Sequence, residues 1–374
     1  MAGGKVWRVA RMWPGGRNKH GSDQRSAGIF GHKEISQVME HYDVGFYRCG
    51  RIICGRGSVN VVLDTSKGRM LLKRYLHIDS GIDAEHFVLE EVIQQGFPCP
   101  FIIKTVEGCT AYRTKESCYA LYRFMEGEAG THYVGSRERE REIARLAGRT
   151  LAGLHNILAE IDKSRFPERQ DDVSCLWERG EHASLRIVEE YERSVMEGAW
   201  FSRRRVKQML EDIRRYIGMA FRFRQEKRHI LPEQIIHYDY APKNIIISNG
   251  NVVSVLDFGE VRVDFRASDM ARAVTSFGGR FGGKRSRPWI YSALLEGYND
   301  VGAVGDEELK ALPELLLWRE LGIVLQTAAC AAGPSSKAGE SAPNVRARRS
   351  IERKLGYMRR LEYSGSEMVA SYIG

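Results

Sequence analysis

The sequence predicts an α+β chain of two lobes, a small antiparallel-sheet N-lobe followed by a larger, mainly helical C-lobe. Three observations carry that expectation. Residues 44–75, "VGFYRCGRIICGRGSVNVVLDTSKGRMLLKRY", read as three strands joined by a Gly-rich turn and a polar turn. Beyond residue 126 the apolar residues recur at helical spacing instead. The length, 374 residues, also exceeds the ~250–300 at which single cores stop growing.

Taken in order, residues 1–35 are rich in Gly and charge and read as a mobile basic tail. Residues 36–126 form the N-lobe. After its first three strands, "AEHFVLEEVIQQ" reads as a helix with Asp83 as its N-cap, and "GFPCP" stops it. Strand-like runs follow at 109–114 and 118–124. Residues 127–335 form the C-lobe. Ile143, Leu146, Ala147, Thr150, Leu151 and Leu154 make one inward helical stripe, and helical patterns cover 182–196 and 202–228. A strand pair comes next, then helices to about 331. Residues 336–374 hold a polar linker and a basic C-terminal helix.

The bulk numbers narrow the function classes. With 43 % hydrophobic and 28 % charged residues, the composition is that of a globular protein. No run approaches the ~18 consecutive apolar residues of a membrane span, so no membrane insertion is expected. The basic opening lacks the apolar segment of a secretory signal. Seven scattered Cys without a Cys-x-x-Cys pair suit reduced thiols in a cytoplasmic protein. The net charge of +9 is concentrated in the first thirty residues, at 278–287 and in "RARRSIERKLGYMRR". It invites a nucleic-acid partner, but no zinc-finger spacing or RNP-like motif accompanies it, so that reading is the runner-up.

The chemistry concentrates in "IIHYDYAPKNIIISNGNVVSVLDFGEV", residues 235–261. Asn249-Gly250 between apolar runs is a strong type I′ hairpin signal. With that turn, 247 faces 252 and 244 faces 255, which brings Asn244 and Asp257 to the same open end. Asp239 sits in the loop just before. An amide oxygen and a carboxylate converging from two strand ends make a hard-oxygen pair of the kind that holds Mg²⁺ beside phosphate oxygens. A lone Asp at a strand end is usually a turn residue. His-x-Asp, Asn five residues on, a hairpin and then Asp-Phe-Gly is more than turns require.

"HYDYAPKN" and "LDFG" resemble the catalytic and metal-binding segments of the protein-kinase-like fold, in particular its aminoglycoside phosphotransferase and choline kinase branch. "GRGSVN" resembles the phosphate loop, although it lacks the last Gly of G-x-G-x-x-G. "LLKRY" places Lys73 on the third strand, "LAGLH" resembles the helix behind the catalytic loop, and "DFRASDMARAV" resembles the second Asp motif, with Asp269 opening a helix. The resemblance implies ATP and Mg²⁺ as cofactors and a small-molecule hydroxyl as acceptor. It implies that Asp239 accepts or orients the hydroxyl proton, that Asn244 and Asp257 hold Mg²⁺, and that Lys73 reaches the α- and β-phosphates. The backbone of Gly55, Gly57 and Ser58 would cover those phosphates. A helix glutamate should pair with Lys73; the apolar arc centred between Val88 and Val92 favours Glu85, with Glu91 as the alternative. His237, His155 and Asp269 are expected in structural roles.

Two departures stand out. Tyr238 occupies a position that is usually Gly in relatives, which narrows the acceptor side. Ser268, where the next helix is expected to start, follows Asp257 by only eleven positions, too few for a peptide-docking segment, and this favours a small molecule over a protein substrate. If the basic 278–287 loop lines the cleft, it suits a neutral or anionic acceptor. The texture of residues 237–272 is similar to that of CotS-type spore-coat kinases, which implies a sugar or polyol acceptor, a cytoplasmic or spore-coat location and spore-coat proteins as partners. The competing reading is a catalytically silent kinase-like scaffold or coat-assembly protein binding an acidic partner.

Overall fold

The structure, a computed structural model, describes residues 30–55, 57–76, 81–132, 136–167, 176–196, 203–279, 287–332 and 341–373. The tail through residue 29, the basic loop at 280–286 and the linker at 333–340 lie outside the described residues.

The N-lobe comprises α1 (His32–Met39), β1 (Tyr47–Cys54), β2 (Ser58–Thr65), β3 (Gly68–Tyr75), α2 (Gly81–Gln94), β4 (Ile102–Ile103), β5 (Tyr112–Arg113) and β6 (Cys118–Arg123). Its antiparallel sheet runs β1-β2-β3-β6-β4, with β5 also on β6. Strand periodicity gives the sheet two apolar faces. Met70, Leu72, Tyr119 and Leu121 pack with Ile35, Val38 and Met39 of α1. Tyr75, Cys118, Ala120 and Tyr122 pack instead with Val88, Leu89 and Val92 of α2. Lys73, two positions from Tyr75, therefore shares the α2 face. Helix α1 begins inside the stretch expected as tail, so residues 32–35 belong to this lobe. Asp83 lies in the first turn of α2 rather than capping it, where its charge favours the helix N-terminus and it accepts from Arg113 at 2.5 Å.

The C-lobe follows as β7 (Glu128–Ala129), α3 (Arg137–Glu160), α4 (Leu176–Met196), α5 (Arg203–Lys227), β8 (Glu233–Ile236), β9 (Ile245–Ser248), β10 (Asn251–Val255), β11 (Arg262–Phe265), α6 (Arg266–Gly278), α7 (Pro288–Asn299), α8 (Asp306–Ala332) and α9 (Ser341–Ile373). Ser136 caps α3 by accepting from the Arg139 N–H at 3.2 Å. Helices α3 and α7 cross at glycines. A Cβ on Gly148 would lie 2.0 Å from the Leu294 oxygen, and one on Gly297 1.9 Å from the Arg145 oxygen. Helix α8 is long and apolar enough to cross a bilayer by composition. It is instead a core helix, with Leu312, Leu316, Leu321, Val324 and Leu325 buried and α4, α6 and α9 packed against it. The two short sheets β10-β9-β7 and β11-β8 frame the segment that carries the polar residues.

Candidate active site

Lys73 on β3 and Glu85 on α2 form an ion pair across the sheet–helix interface, with Lys73 Nζ donating to Glu85 Oε1 at 2.8 Å and Oε2 at 3.2 Å. Glu91 points away and accepts from Arg165 at 2.7 Å. Glu85 is held from behind by the Tyr75 hydroxyl, which donates to Oε2 at 3.1 Å and lies 2.9 Å from the Tyr122 hydroxyl. Burial opposes ionisation of Glu85, but Lys73 and then His86 outweigh it, and the carboxyl pKa is lowered. In the turn between β1 and β2, the Gly55 N–H donates to the Ser58 oxygen at 2.8 Å, so that amide is engaged within the turn itself. The Gly57 oxygen accepts from the Leu76 N–H at 3.0 Å, and Ser58 Oγ accepts from Asn60 Nδ2 at 3.2 Å.

Strand β8 delivers the chain to the loop 237–241, which Asp269 of α6 braces. Its buried carboxylate accepts the His237 and Tyr238 N–H groups, each at 2.7 Å, and lies 3.2 Å from His155 Nε2. His155 also meets the Tyr298 hydroxyl at 2.8 Å, as a fully partnered core histidine. His237 Nδ1 accepts the Asp239 N–H at 3.2 Å, which makes Nε2 the donor to the Leu256 oxygen at 3.0 Å. One imidazole thus ties the 239 loop to the segment carrying Asp257. Tyr238 has φ 65°, a left-handed conformation that costs any residue with a Cβ. Its ring stacks with Arg262, 3.9 Å from ring centroid to guanidinium carbon.

The hairpin pairs 247 with 252 as the turn predicts, but a bulge between Val252 and Ser254 then sets Ile245, not Asn244, opposite Val255. Asn244 is moved on to face Leu256, whose N–H it accepts at 2.7 Å. This brings it within one residue of Asp257. Asp257 adopts φ 64° and ψ 64°, and its exposed carboxylate makes no hydrogen bond or ion pair among the described residues. A Cβ on Gly259 would sit 3.7 Å from both Asp257 Oδ1 and Glu85 Oε2, so the Lys73–Glu85 pair lies beside this carboxylate. Asn244 spends its Nδ2 on the Asp239 carbonyl at 2.9 Å and on Asp239 Oδ2 at 3.0 Å, and its amide oxygen takes no hydrogen bond among the described residues. Among the described residues no three His, Cys, Asp or Glu gather as a metal cage. The Asn244 oxygen and the Asp257 carboxylate fit the sparser Mg²⁺ mode, in which phosphates and waters complete the shell.

Asp239 is enclosed by cations that the sequence reading did not anticipate. Arg272 donates to Oδ1 through Nε at 3.1 Å and through Nη2. Lys243 donates to Oδ2 at 2.7 Å. Burial alone would favour the neutral acid, but Arg272 and Lys243 overcome it and hold the carboxyl at about 2. The sequence does contain a signal for Arg272. It is an isolated charge between Ala271 and Ala273, three residues after Asp269, on the side of the helix that meets the loop.

The model of the phosphotransferase enzyme family matches residues 54–310. The homoserine kinase of Sinorhizobium fredii (strain NBRC 101917 / NGR234) is 23 % identical over 291 residues, covering 75 % of this chain and 79 % of that protein. Among solved structures, a microcompartment-associated aminopropanol kinase superposes with a TM-score of 0.63 at 15 % identity, covering 89 % of this chain and 98 % of its own. The amicoumacin kinase hAmiN, in complex with AMP-PNP and Ca²⁺, superposes with a TM-score of 0.60 at 12 % identity, covering 87 % and 96 %. These superpositions show a shared protein-kinase-like fold.

Proposed function

We propose that this chain, which belongs to the phosphotransferase enzyme family, moves the γ-phosphoryl group of ATP, with Mg²⁺, to the hydroxyl of a small amino alcohol or hydroxy amino acid. The observation that carries the reading is one cluster of side chains that holds the Lys73–Glu85 pair, the Asp239 carboxylate and, without a partner among the described residues, the Asp257 carboxylate and the amide oxygen of Asn244. Phosphoryl transfer needs positioning and charge neutralisation more than covalent chemistry, and each of these groups serves one of those ends.

Mg²⁺–ATP supplies the phosphoryl group and neutralises charge on its oxygens. The chain's own residues do the rest. Lys73, kept in place by Glu85, meets the α- and β-phosphates. The turn at Gly55, Gly57 and Ser58 would cover them, and Asn244 and Asp257 would hold Mg²⁺. Asp239 accepts a hydrogen bond from the acceptor hydroxyl. With its pKa lowered to about 2, it is fully ionised at neutral pH but a weak base. It therefore orients the hydroxyl and takes the proton as the new bond forms. The acceptor oxygen bonds to γ-phosphorus, the bridging bond to the β-phosphate breaks, and ADP leaves with that electron pair.

A small acceptor follows from the chain between Asp257 and α6, which is a turn at Phe258–Glu260 and then β11 paired with β8, with no free segment to dock a peptide. The named acceptors of the relatives, homoserine and aminopropanol, favour a compact amino alcohol or hydroxy amino acid over the sugar or polyol expected from the spore-coat resemblance. The test is the melting temperature with ATP and MgCl₂, beside Asp257→Ala. A ligand at a hundred times its dissociation constant stabilises by about 2.7 kcal/mol. The wild type should show a magnesium-dependent upward shift that the variant loses. No shift at millimolar nucleotide would move the weight to a silent scaffold.

A further inference from the structure

Asp239 as found has no vacancy for a substrate. Its Oδ1 takes two bonds from Arg272, and its Oδ2 takes one each from Lys243 and Asn244. A carboxylate offers about four lone-pair sites, so an acceptor hydroxyl must displace one of these donors. Asn244, assigned above to Mg²⁺, bonds Oδ2, and Arg272 holds Oδ1, the oxygen that neither assigned metal ligand bonds.

A second guanidinium comes from α8, the helix packed against α6. Arg319 of α8 is 22 % exposed at its side chain, and its only ion contact among the described residues is Glu320 at 3.9 Å. Glu320 is its chain neighbour, poorly placed on a helix to face it, and is itself bonded by Lys354 at 2.8 Å. Arg319 makes no hydrogen bond among the described residues, yet lies close enough to Arg272, Tyr238 and Asp239 to interact electrostatically with each. Burial and then the like charge of Arg272 lower its pKa. A largely buried cation whose near acidic neighbours are already bonded by Lys354 or by Arg272 and Lys243 is poorly compensated, and an anion entering between the two arginines would relieve that cost.

We propose that Arg272 and Arg319 form an anion-reading subsite of the acceptor pocket, so that the preferred acceptor carries a carboxylate or phosphate near its reactive hydroxyl. This rests on the kinase reading above and refines it. The acceptor's anion draws Arg272 away from Asp239 Oδ1 and so frees that oxygen for the hydroxyl. Recognition and release of the catalytic carboxylate are then one event. A cationic acceptor without an anion would meet two guanidiniums and an ammonium around a single carboxylate, and would leave Asp239 locked.

The experiment compares acceptors that differ only in the anion, with ATP and Mg²⁺ saturating and nucleotide binding verified independently by melting temperature. L-Homoserine is set against 3-amino-1-propanol, which lacks its carboxylate, and glycerol 3-phosphate against glycerol; the two pairs separate a carboxylate from a phosphate. Transfer should favour the anionic member of at least one pair. Arg319→Met should raise the KM for that member roughly 10- to 100-fold, the effect of losing a charge-assisted pair. It should leave the KM for ATP unchanged and should not lower the melting temperature, since it removes a poorly compensated buried charge, and Arg319→Lys should restore part of the loss in KM. Equal or better transfer to the neutral or cationic members, transfer to no anionic member while nucleotide still binds, or a rise in the KM for ATP would each overturn the subsite. Failure to bind nucleotide, or transfer to no acceptor of either kind by protein that does bind it, would instead overturn the kinase reading.

Discussion

Replacing Asp269 by Asn changes one atom type at the point where the 239 loop is held. The carboxylate is fully buried, and every partner it has is a donor or a histidine: the His237 and Tyr238 N–H groups at 2.7 Å each, and His155 Nε2 at 3.2 Å. Asn keeps one acceptor oxygen and turns an amide NH₂ toward the other backbone N–H, so two donors face each other in a dry site. A hydrogen bond to a charged group contributes about 1.5–3 kcal/mol, and a buried unsatisfied donor costs about 1–3 kcal/mol. Asp269→Asn should therefore destabilise by about 3–5 kcal/mol, a large part of the ~5–15 kcal/mol that holds a typical domain. Urea unfolding followed by tryptophan fluorescence measures the loss. Hydrogen exchange of the peptide spanning 235–241 locates it, because the His237 and Tyr238 amides should lose protection first. An unmoved unfolding midpoint with those amides still protected would refute the bracing role.

Other perturbations test other levels of the account. Gly297→Ala should lower stability by about 1–3 kcal/mol through overpacking of α3 on α7, seen as a lower melting temperature; an unchanged value would mean the crossing is loose. The Asp239 pKa is lowered from 3.8 to about 2, so its ion pairs stabilise above about pH 4, and that contribution, about 2 kcal/mol, fades as pH falls toward 2. The stability gap between wild type and Asp239→Asn should close across that window in acid titration, and a pH-independent gap would contradict it. Glu85→Gln should reduce kcat/KM for ATP by roughly tenfold, about 1.4 kcal/mol of lost positioning. Glu91→Gln, a residue whose one ion pair among the described residues is with Arg165, should stay within about twofold, and equal effects would remove the Lys73–Glu85 pair from the site.

The sequence made the architecture legible wherever one periodicity ran undisturbed. The strands at 47–75, the stripe of α3 and the hairpin turn at Asn249-Gly250 all follow from local pattern. Glu85 was legible for a related reason: a charge inside an apolar helical arc must have a buried partner, and Lys73 is on the facing strand. Helix α1 was not, because eight residues beside a Gly-rich, charged stretch carry too little periodicity, and only its packing on the sheet explains it. The bulge near Val253 left no mark either, since Val-Val-Ser-Val fits a regular strand equally well, yet it moves Asn244 by a full register position toward Asp257. Arg272 and Arg319 were missed because a single arginine in a helix reads as solvated surface until a neighbouring element turns that surface into a pocket.

The central claim is transfer of a phosphoryl group to a small hydroxyl by way of Asp239. The direct measurement is phosphorus NMR of ATP, Mg²⁺ and a panel of amino alcohol and hydroxy amino acid acceptors, run with wild type and with Asp239→Asn matched for folding. Wild type should convert ATP to ADP with a new phosphate-ester signal dependent on acceptor and magnesium, and the variant should slow that signal at least about a hundredfold. An ester formed at equal rate by both proteins, or none formed by wild type that binds nucleotide, would contradict the account.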